Sequence, residues 1–495
     1  MPTRVGYCTD VEGNLNFFRR YVERSGVLRF DDKNELVLED GCYFVFGGDA
    51  VDKGDGDLTL CRLLSRLKRR WPDRVHLLVG NRDLNKLRMT AELSPRTMRE
   101  LPAADVPKPH WDQKVPTYAE FLATSLKKAD DSRANRLRWM LLHTLGCAET
   151  FELRRRELGG DASDDAVVDS FVAEVLPGGA VREYLENGCV AARLGTTLFV
   201  HGAVDALTAG FVPPLSTEFR LGAVTDPAFP PTKRFFGEDD GAPTRTVDDW
   251  VRDLNALLVA GLEDHARRPD FDDVTKSLRR GGEALMALQN RCAVWGRSVV
   301  SNCYCDGGNP DSGPAAERRR ARWEDAWTKG EALAPTFVEA DTGYTSDCRD
   351  KAVADWLMAA GVRRVVVGHR PTGDCPAILS ACYTGVEMIS ADTSYSDVEA
   401  PDNRGVAVPV VMLEGADLER NRALVSGVLK DGREYTAHMP ALGGFVVADD
   451  GEDKLLGTED DQGWWYKAVV DGGAKYLQCR GAGRRVECRD VDRAP

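Results

Sequence analysis

One device recurs along the chain and limits what it can fold into: a short apolar run of strand length that stops at carboxylate, amide or imidazole side chains. Its central copy is the run Cys42, Tyr43, Phe44, Val45, Phe46, followed by Gly47-Gly48-Asp49-Ala50-Val51-Asp52-Lys53-Gly54. The run reads as a buried strand, and the two glycines open a tight turn that delivers Asp49 and Asp52 to its carboxyl end. Open α/β sheets keep their ligand sites at that end. Taken alone, Gly-Asp-x-x-Asp-x-Gly is more often an ordinary turn, because Gly and Asp are the default turn residues. Four companion segments change that reading.

The first companion is the run over residues 4–9, which ends at Asp10-Val11-Glu12-Gly13-Asn14; Leu15, Phe17, Phe18, Tyr21 and Val22 then recur at helical spacing. Alternation along a strand sets side chains two apart on one side, so Asp10 and Glu12 can be aimed at one cation. The same residue types equally suit a helix N-cap. Residues 57–71 predict an amphipathic helix with Leu60, Leu63, Leu64 and Leu67 on one face and a solvated basic face opposite. A strand over 75–79 closes on Gly80-Asn81-Arg82-Asp83, one over 190–200 on His201-Gly202, and one over 362–367 on Gly368-His369-Arg370-Pro371. A further strand, 387–391, stops at Asp392-Thr393-Ser394. A lone histidine is more often structural, but His201 and His369 both end strands beside a glycine, as an exposed loop ligand would. Strand, loop and helix in repeated alternation predict a layered α/β fold.

At 495 residues the chain exceeds one core of usual size. We expect a main domain over 1–415, interrupted by helical, charged insertions at about 84–190 and 205–360, and a small β-rich unit over 416–495. Trp464, Trp465, Tyr466 and Tyr476 suit the core of that unit better than a ligand platform. Residues 305–314 read as a loop and 318–322 as a solvated charge run. Lys and Arg number 65 against 79 Asp and Glu, a net charge of −14, which argues against bulk nucleic-acid or anionic-membrane binding. The N-terminus lacks the apolar stretch of a signal peptide, and no window approaches the ~20 apolar residues of a membrane span, so a cytoplasmic protein is expected. The 13 cysteines show no repeated Cys-x-x-Cys pair. Cys303-Tyr304-Cys305 has no second pair with which to hold zinc, and reduced thiols fit better.

Carboxylate, amide and imidazole groups gathered at one sheet edge are what a two-metal phosphoryl-transfer site requires. The five blocks in this order resemble the calcineurin-like metallophosphoesterases, in particular the branch holding the Ser/Thr protein phosphatases and the bacterial diadenosine tetraphosphatases. Gly13-Asn14-Leu15, Asp40-Gly41, Val200-His201-Gly202 and Gly-His-x-Pro at 368–371 extend the resemblance, which covers residues 4–90, 193–204 and 362–396. It implies a four-layer α-β-β-α sandwich and two divalent metal ions, with a bridging hydroxide that attacks phosphorus. It further implies Asp10 and Glu12 on one metal, Asp49 bridging, and Asn81, His201 and His369 on the other. Lys53, Arg82 and Arg370 would contact phosphate, and Asp52 and Arg82 would serve catalysis.

Two departures matter. The family has His where Glu12 stands, so one metal would see three carboxylates, an oxygen-rich set that favours Mn²⁺ or Mg²⁺. The family also has His where Arg82 stands, and that His protonates the leaving oxygen with help from the residue matching Asp52. Arginine, with a pKa above ~12, cannot do so, although it can pair with Asp52 or stabilise charge developing on the phosphoryl group. A phosphoanhydride leaves as a stable anion, so a nucleotide or polyphosphate substrate is expected ahead of phosphoserine. The alternatives are a Ser/Thr-type protein phosphatase and a phosphate-binding scaffold that has lost catalysis. All six presumed metal positions carry competent ligands, which favours activity; no protein partner can be read.

Overall fold

The computed structural model describes residues 3–108, 115–127, 129–204, 209–217, 219–220, 223–224, 245–274, 276, 278–289, 292–295, 351–394, 403–439, 455–462, 464–482 and 485–493. The Cys303-Tyr304-Cys305 spacing, the 305–314 loop and the 318–322 charge run lie outside the described residues.

Strands buried on both faces read as continuous apolar runs, and the predicted runs fold accordingly except 190–200, which a turn at Gly195 (φ 56°) divides into two antiparallel strands, Ala191–Leu194 and Thr197–Val200. In the larger sheet β1 (Thr3–Cys8), β4 (Cys42–Phe46) and β5 (Val75–Leu77) lie parallel, with Tyr7 opposite Val45 and Phe46 opposite Leu77. On the other side of β1 the pairing turns antiparallel through β13 (Val408–Gly415), β14 (Asn421–Val428), β15 (Glu434–His438), β16 (Trp465–Val470), β17 (Lys475–Ala482) and β18 (Arg485–Asp492). The result is a sheet of nine strands in the order β18-β17-β16-β15-β14-β13-β1-β4-β5. The β-rich strands of residues 416–495 are thus hydrogen-bonded edge to edge onto the sheet that contains β1. Trp465 is fully buried, and its indole N–H donates to the Ile378 carbonyl of the second sheet (2.7 Å).

That second sheet runs β11-β12-β10-β7-β6, formed by β6 (Ala191–Leu194), β7 (Thr197–Val200), β10 (Arg364–Val367), β11 (Ala377–Leu379) and β12 (Glu387–Ser390). Its strands β7, β10 and β12 are parallel. Two short hairpins, β2 (Leu28–Phe30) with β3 (Leu36–Leu38) and β8 (Phe219–Arg220) with β9 (Ala223–Val224), complete the mixed α/β architecture.

Side-chain alternation explains how the layers meet. Val5, Tyr7 and Val45 of the larger sheet share one buried cluster with Phe199, Val366 and Ile389 of the smaller, and the Tyr7 and Phe199 rings stack at 5.8 Å. Their neighbours Phe44, Phe46, Val365 and Val367 belong instead to a cluster filled by helices. Helix α1 (Leu15–Ser25) contributes Phe17, Phe18, Tyr21 and Val22, and α2 (Asp57–Arg70) contributes Leu60, Leu63, Leu64 and Leu67. Asn14 caps α1 by accepting the Phe17 N–H (3.0 Å), so the capping role falls to it and not to Asp10 or Glu12.

The first insertion folds around its own core of Met89, Tyr118, Leu137, Trp139, Phe151 and Phe171. It is tied to the main body where Arg154 pairs with the buried Asp57 (3.0 Å) and Glu157 accepts the Leu58 N–H (2.8 Å). Among the described residues, no helix is long and apolar enough to cross a membrane.

Candidate active site

All five predicted loops leave the carboxyl ends of β1, β4, β5, β7 and β10, and backbone hydrogen bonds knit them together. Asp10, Glu12 and Gly13 donate to the carbonyls of Gly48, Asp49 and Ala50 at 3.0, 3.0 and 2.7 Å. In the second sheet Gly368 donates to the His201 carbonyl (2.9 Å). The sheets are joined where the His369 N–H donates to Asp10 Oδ2 (3.0 Å) and the His201 ring bonds the Gly47 carbonyl through Nδ1 (2.7 Å).

The backbone here is strained. Among the described residues nine non-glycine positions have positive φ, and five of them are Asp10 (52°), Glu12 (46°), Asp49 (54°), Asp52 (120°) and His369 (64°). Such conformations cost ~1–3 kcal/mol each and persist where the surroundings over-determine them. Asp83 is one such restraint: its buried carboxylate accepts the N–H groups of Asp49 (3.0 Å), Ala50 (2.8 Å) and Gly80 (2.8 Å). Glycine at 80 and 368 is another requirement, since a Cβ on Gly80 would overlap Asp49 and one on Gly368 would overlap Thr9 and Asp10.

Two sets of ligand atoms converge, sharing Asp49. Asp49, His201 and His369 form one and Asp10, Glu12 and Asp49 the other, each with its atoms within 4.8 Å of one another. In the first set Nδ1 of His201 is held by the Gly47 carbonyl, which turns Nε2 inward. Nε2 then lies 3.3 Å from Asp49 Oδ1 and 3.3 Å from Asn81 Oδ1. Burial opposes protonation of this imidazole, yet Asp49 above all, with help from Asp10, pushes it up to about 10. That shift holds a proton on Nε2 toward the two oxygens, the position of positive charge that a divalent cation would take in its place. This donor set fits a divalent cation.

The second set is electrostatically different. Glu12 Oε1 lies 3.0 Å from Arg82 Nε and 3.1 Å from an Arg404 terminal nitrogen, and Oε2 lies 3.2 Å from Lys53 Nζ. Burial alone would raise Glu12, but Arg404, Arg82 and Lys53, in that order, hold it at about 2. Asp52 is fully buried between Arg82 (3.0 Å) and Lys86 (2.7 Å). Arg82 also donates its backbone N–H to Asp49 Oδ1 (2.9 Å) and a guanidinium N–H to the Leu145 carbonyl of the insertion (3.2 Å).

No protein-family model and no curated protein matches the chain. Among solved structures, a cold-active protein tyrosine phosphatase is similar at a TM-score of 0.38 and 13% identity, over 89% of this chain and 80% of that one. The cold-active protein-tyrosine phosphatase of a psychrophilic Shewanella species gives 0.35 and 12%, again over 89% and 80%. A protein serine/threonine phosphatase from Saccharomyces cerevisiae, with similarity to human phosphatase PP5, gives 0.31 and 10% over 90% and 82%. These scores assign no family. The functional reading rests on the site itself.

Of the residues singled out from the sequence, Asp10, Glu12, Asp49, Asp52, Lys53, Asn81, Arg82, His201 and His369 are brought together by the contacts above. Arg370 follows His369 and is buried. Four neighbours lay outside the sequence-based assignment: Asp83, Lys86, Asp392 and Arg404. Asp392 did carry a signal, since it ends β12, which lies parallel to β10; burial raises its carboxyl to about 6 against the opposing pull of Arg404. Arg404 carried none, because it follows no strand end and reaches the site only through the tertiary fold.

Proposed function

We propose that the protein is a metal-dependent phosphohydrolase, built as a calcineurin-like four-layer α-β-β-α sandwich, that cleaves a phosphoester or phosphoanhydride. The observation that carries this reading is the gathering of ligand atoms of Asp49, His201 and His369 within 4.8 Å of one another, with Asn81 Oδ1 3.3 Å from His201 Nε2, beside a row of fixed positive side chains. A divalent cation held there supplies Lewis acidity toward a phosphoryl oxygen. Two imidazoles with two oxygens suit Mn²⁺ better than Mg²⁺.

The remaining chemistry belongs to the chain's own residues. Lys53, whose side chain is 34% exposed, is the site cation best placed to meet an incoming phosphoryl group. Arg82, with a 16% exposed side chain, is held cationic by Glu12 and Asp52 against the effect of its burial. It can stabilise negative charge that grows in the transition state but cannot hand a proton to the leaving oxygen. Substrates with stable leaving groups are therefore favoured, which supports a nucleotide or polyphosphate over a phosphorylated protein side chain.

The test is a screen of aryl and alkyl phosphomonoesters, diesters and anhydrides with Mn²⁺, run on the native chain and on Asp49→Asn. Turnover of aryl phosphates and anhydrides is expected, together with its loss and a lower metal content in a still-folded Asp49→Asn. Efficient phosphoserine turnover would support the Ser/Thr phosphatase alternative, and bound metal without turnover the scaffold. Asp49→Asn retaining more than a few per cent of activity would refute the assignment of Asp49.

A further inference from the structure

The two halves of the site differ in what already balances their charge. In one half, His201 Nε2 lies 3.3 Å from Asp49 Oδ1 and from Asn81 Oδ1, and Arg82 Nε stands 3.6 Å from Asp49 Oδ2. At Glu12 each carboxylate oxygen is already met by fixed cations: Arg82 and Arg404 on Oε1, Lys53 on Oε2.

Arg82 and Arg404 have anchors of their own, independent of Glu12. Arg404 Nε donates to the Asp10 carbonyl (2.9 Å), and the Arg404 side chain is 4% exposed. Arg82 is pinned by Asp52 and by the Leu145 carbonyl. For a metal ion to reach Oε1 both guanidinium groups would have to leave these buried partners, and to reach Oε2 it would have to displace the Lys53 ammonium.

Resting on the metal-dependent reading above, we propose that the protein holds one divalent cation per chain, on Asp49, Asn81, His201 and His369, and that Arg82, Arg404 and Lys53 stand in for a second cation at Glu12. The pairing of charges agrees. Four carboxylates, Glu12, Asp49, Asp52 and Asp392, meet four fixed cations, Lys53, Arg82, Lys86 and Arg404, whereas the Asp10 carboxylate is met by the His369 N–H and the Thr9 hydroxyl. Asp83 is compensated separately by three backbone N–H groups. The arrangement also gives Glu12 a function other than ligation. It holds two guanidiniums and an ammonium beside the site, where they act as preorganised charge stabilisers.

The test uses the full chain loaded with excess Mn²⁺, freed of unbound metal and measured for metal per protein by mass spectrometry and for spin coupling by electron paramagnetic resonance. One Mn²⁺ per chain with an uncoupled six-line spectrum is expected. Two per chain, or an exchange-coupled spectrum, overturns the inference while leaving metal-dependent hydrolysis intact if turnover persists. No retained metal and no turnover overturns both. Two variants sharpen the result: Glu12→Gln should still hold one equivalent, and a drop on that substitution overturns the proposal. His201→Ala should hold none, and a remaining equivalent would place a second cation at Asp10 and Glu12 after all.

Discussion

Replacing Arg82 with His reaches furthest into the proposed chemistry, and its consequences can be worked from the contacts. The guanidinium meets Glu12 at 3.0 Å, Asp52 at 3.0 Å and the Leu145 carbonyl at 3.2 Å. Its loss leaves neither carboxylate without a cation, because Glu12 keeps Arg404 and Lys53 and Asp52 keeps Lys86. The stability cost should therefore fall at the lower end of the ~3–5 kcal/mol typical of a broken buried pair, and the variant should fold. A general acid is worth ~10²–10⁴-fold in rate, or ~3–5 kcal/mol of barrier, and its benefit grows with the basicity of the leaving group. Since Arg82 cannot act as an acid, the native protein should show a steep fall in kcat/KM from anhydrides and aryl phosphates to alkyl phosphates. In Arg82→His an imidazole beside Asp52 can donate that proton, so the dependence should flatten and alkyl substrates should gain relative to aryl ones, even if both absolute rates drop. The assay is a leaving-group series for both proteins at one pH and one metal concentration. A shallow slope in the native protein would refute the reasoning, because some other acid would then be serving the leaving oxygen, and the preference for anhydrides would fall with it.

Two further outcomes concern the frame around the site. His265 is fully buried with Nε2 3.1 Å from both Thr90 Oγ1 and the Leu87 carbonyl, and burial first, then Arg280, lowers its pKa to about 4. The unfolded chain takes up this proton near pH ~6.5 and the native chain only near 4, so stability is lost as pH falls through that window, by about 3 kcal/mol at most. Thermal melts at pH 7 and 4.5 should show a smaller loss for His265→Gln than for the native protein; parallel losses would contradict the account. Gly80→Ala forces a methyl group into Asp49, at an overpacking cost of ~1–3 kcal/mol, and should lower the melting temperature and the Mn²⁺ affinity together. Unchanged metal affinity in that variant would mean that the Asp49 carboxylate is not held by the Gly80 turn.

What could be read in the sequence was local. A strand that ends in Gly-Asp, Gly-Asn, His-Gly or Gly-His announces itself within ten residues, because strand period and turn chemistry are properties of neighbouring residues. For that reason Asp10, Asp49, Asn81, His201 and His369 were legible, and so was the alternation of strands with α1 and α2. The residue that caps α1 was less clear, since Asp10 and Asn14 are both favoured cap types and the bond from the Phe17 N–H to Asn14 settles which one serves. The β-rich strands after residue 416 were visible as strands, but their attachment through β13 to β1 was not, because an open sheet edge offers the same N–H and C=O groups whatever its side chains. Least legible was the state of Glu12. In sequence it is one carboxylate in a row of metal-ligand types; in the fold it meets Arg404, which lies 392 positions away, together with Arg82 and Lys53. Charge compensation falls off with distance in space and is indifferent to distance along the chain, so only the packing of the β1, β4 and β5 loops against the segment before β13 brings Glu12 its three cations.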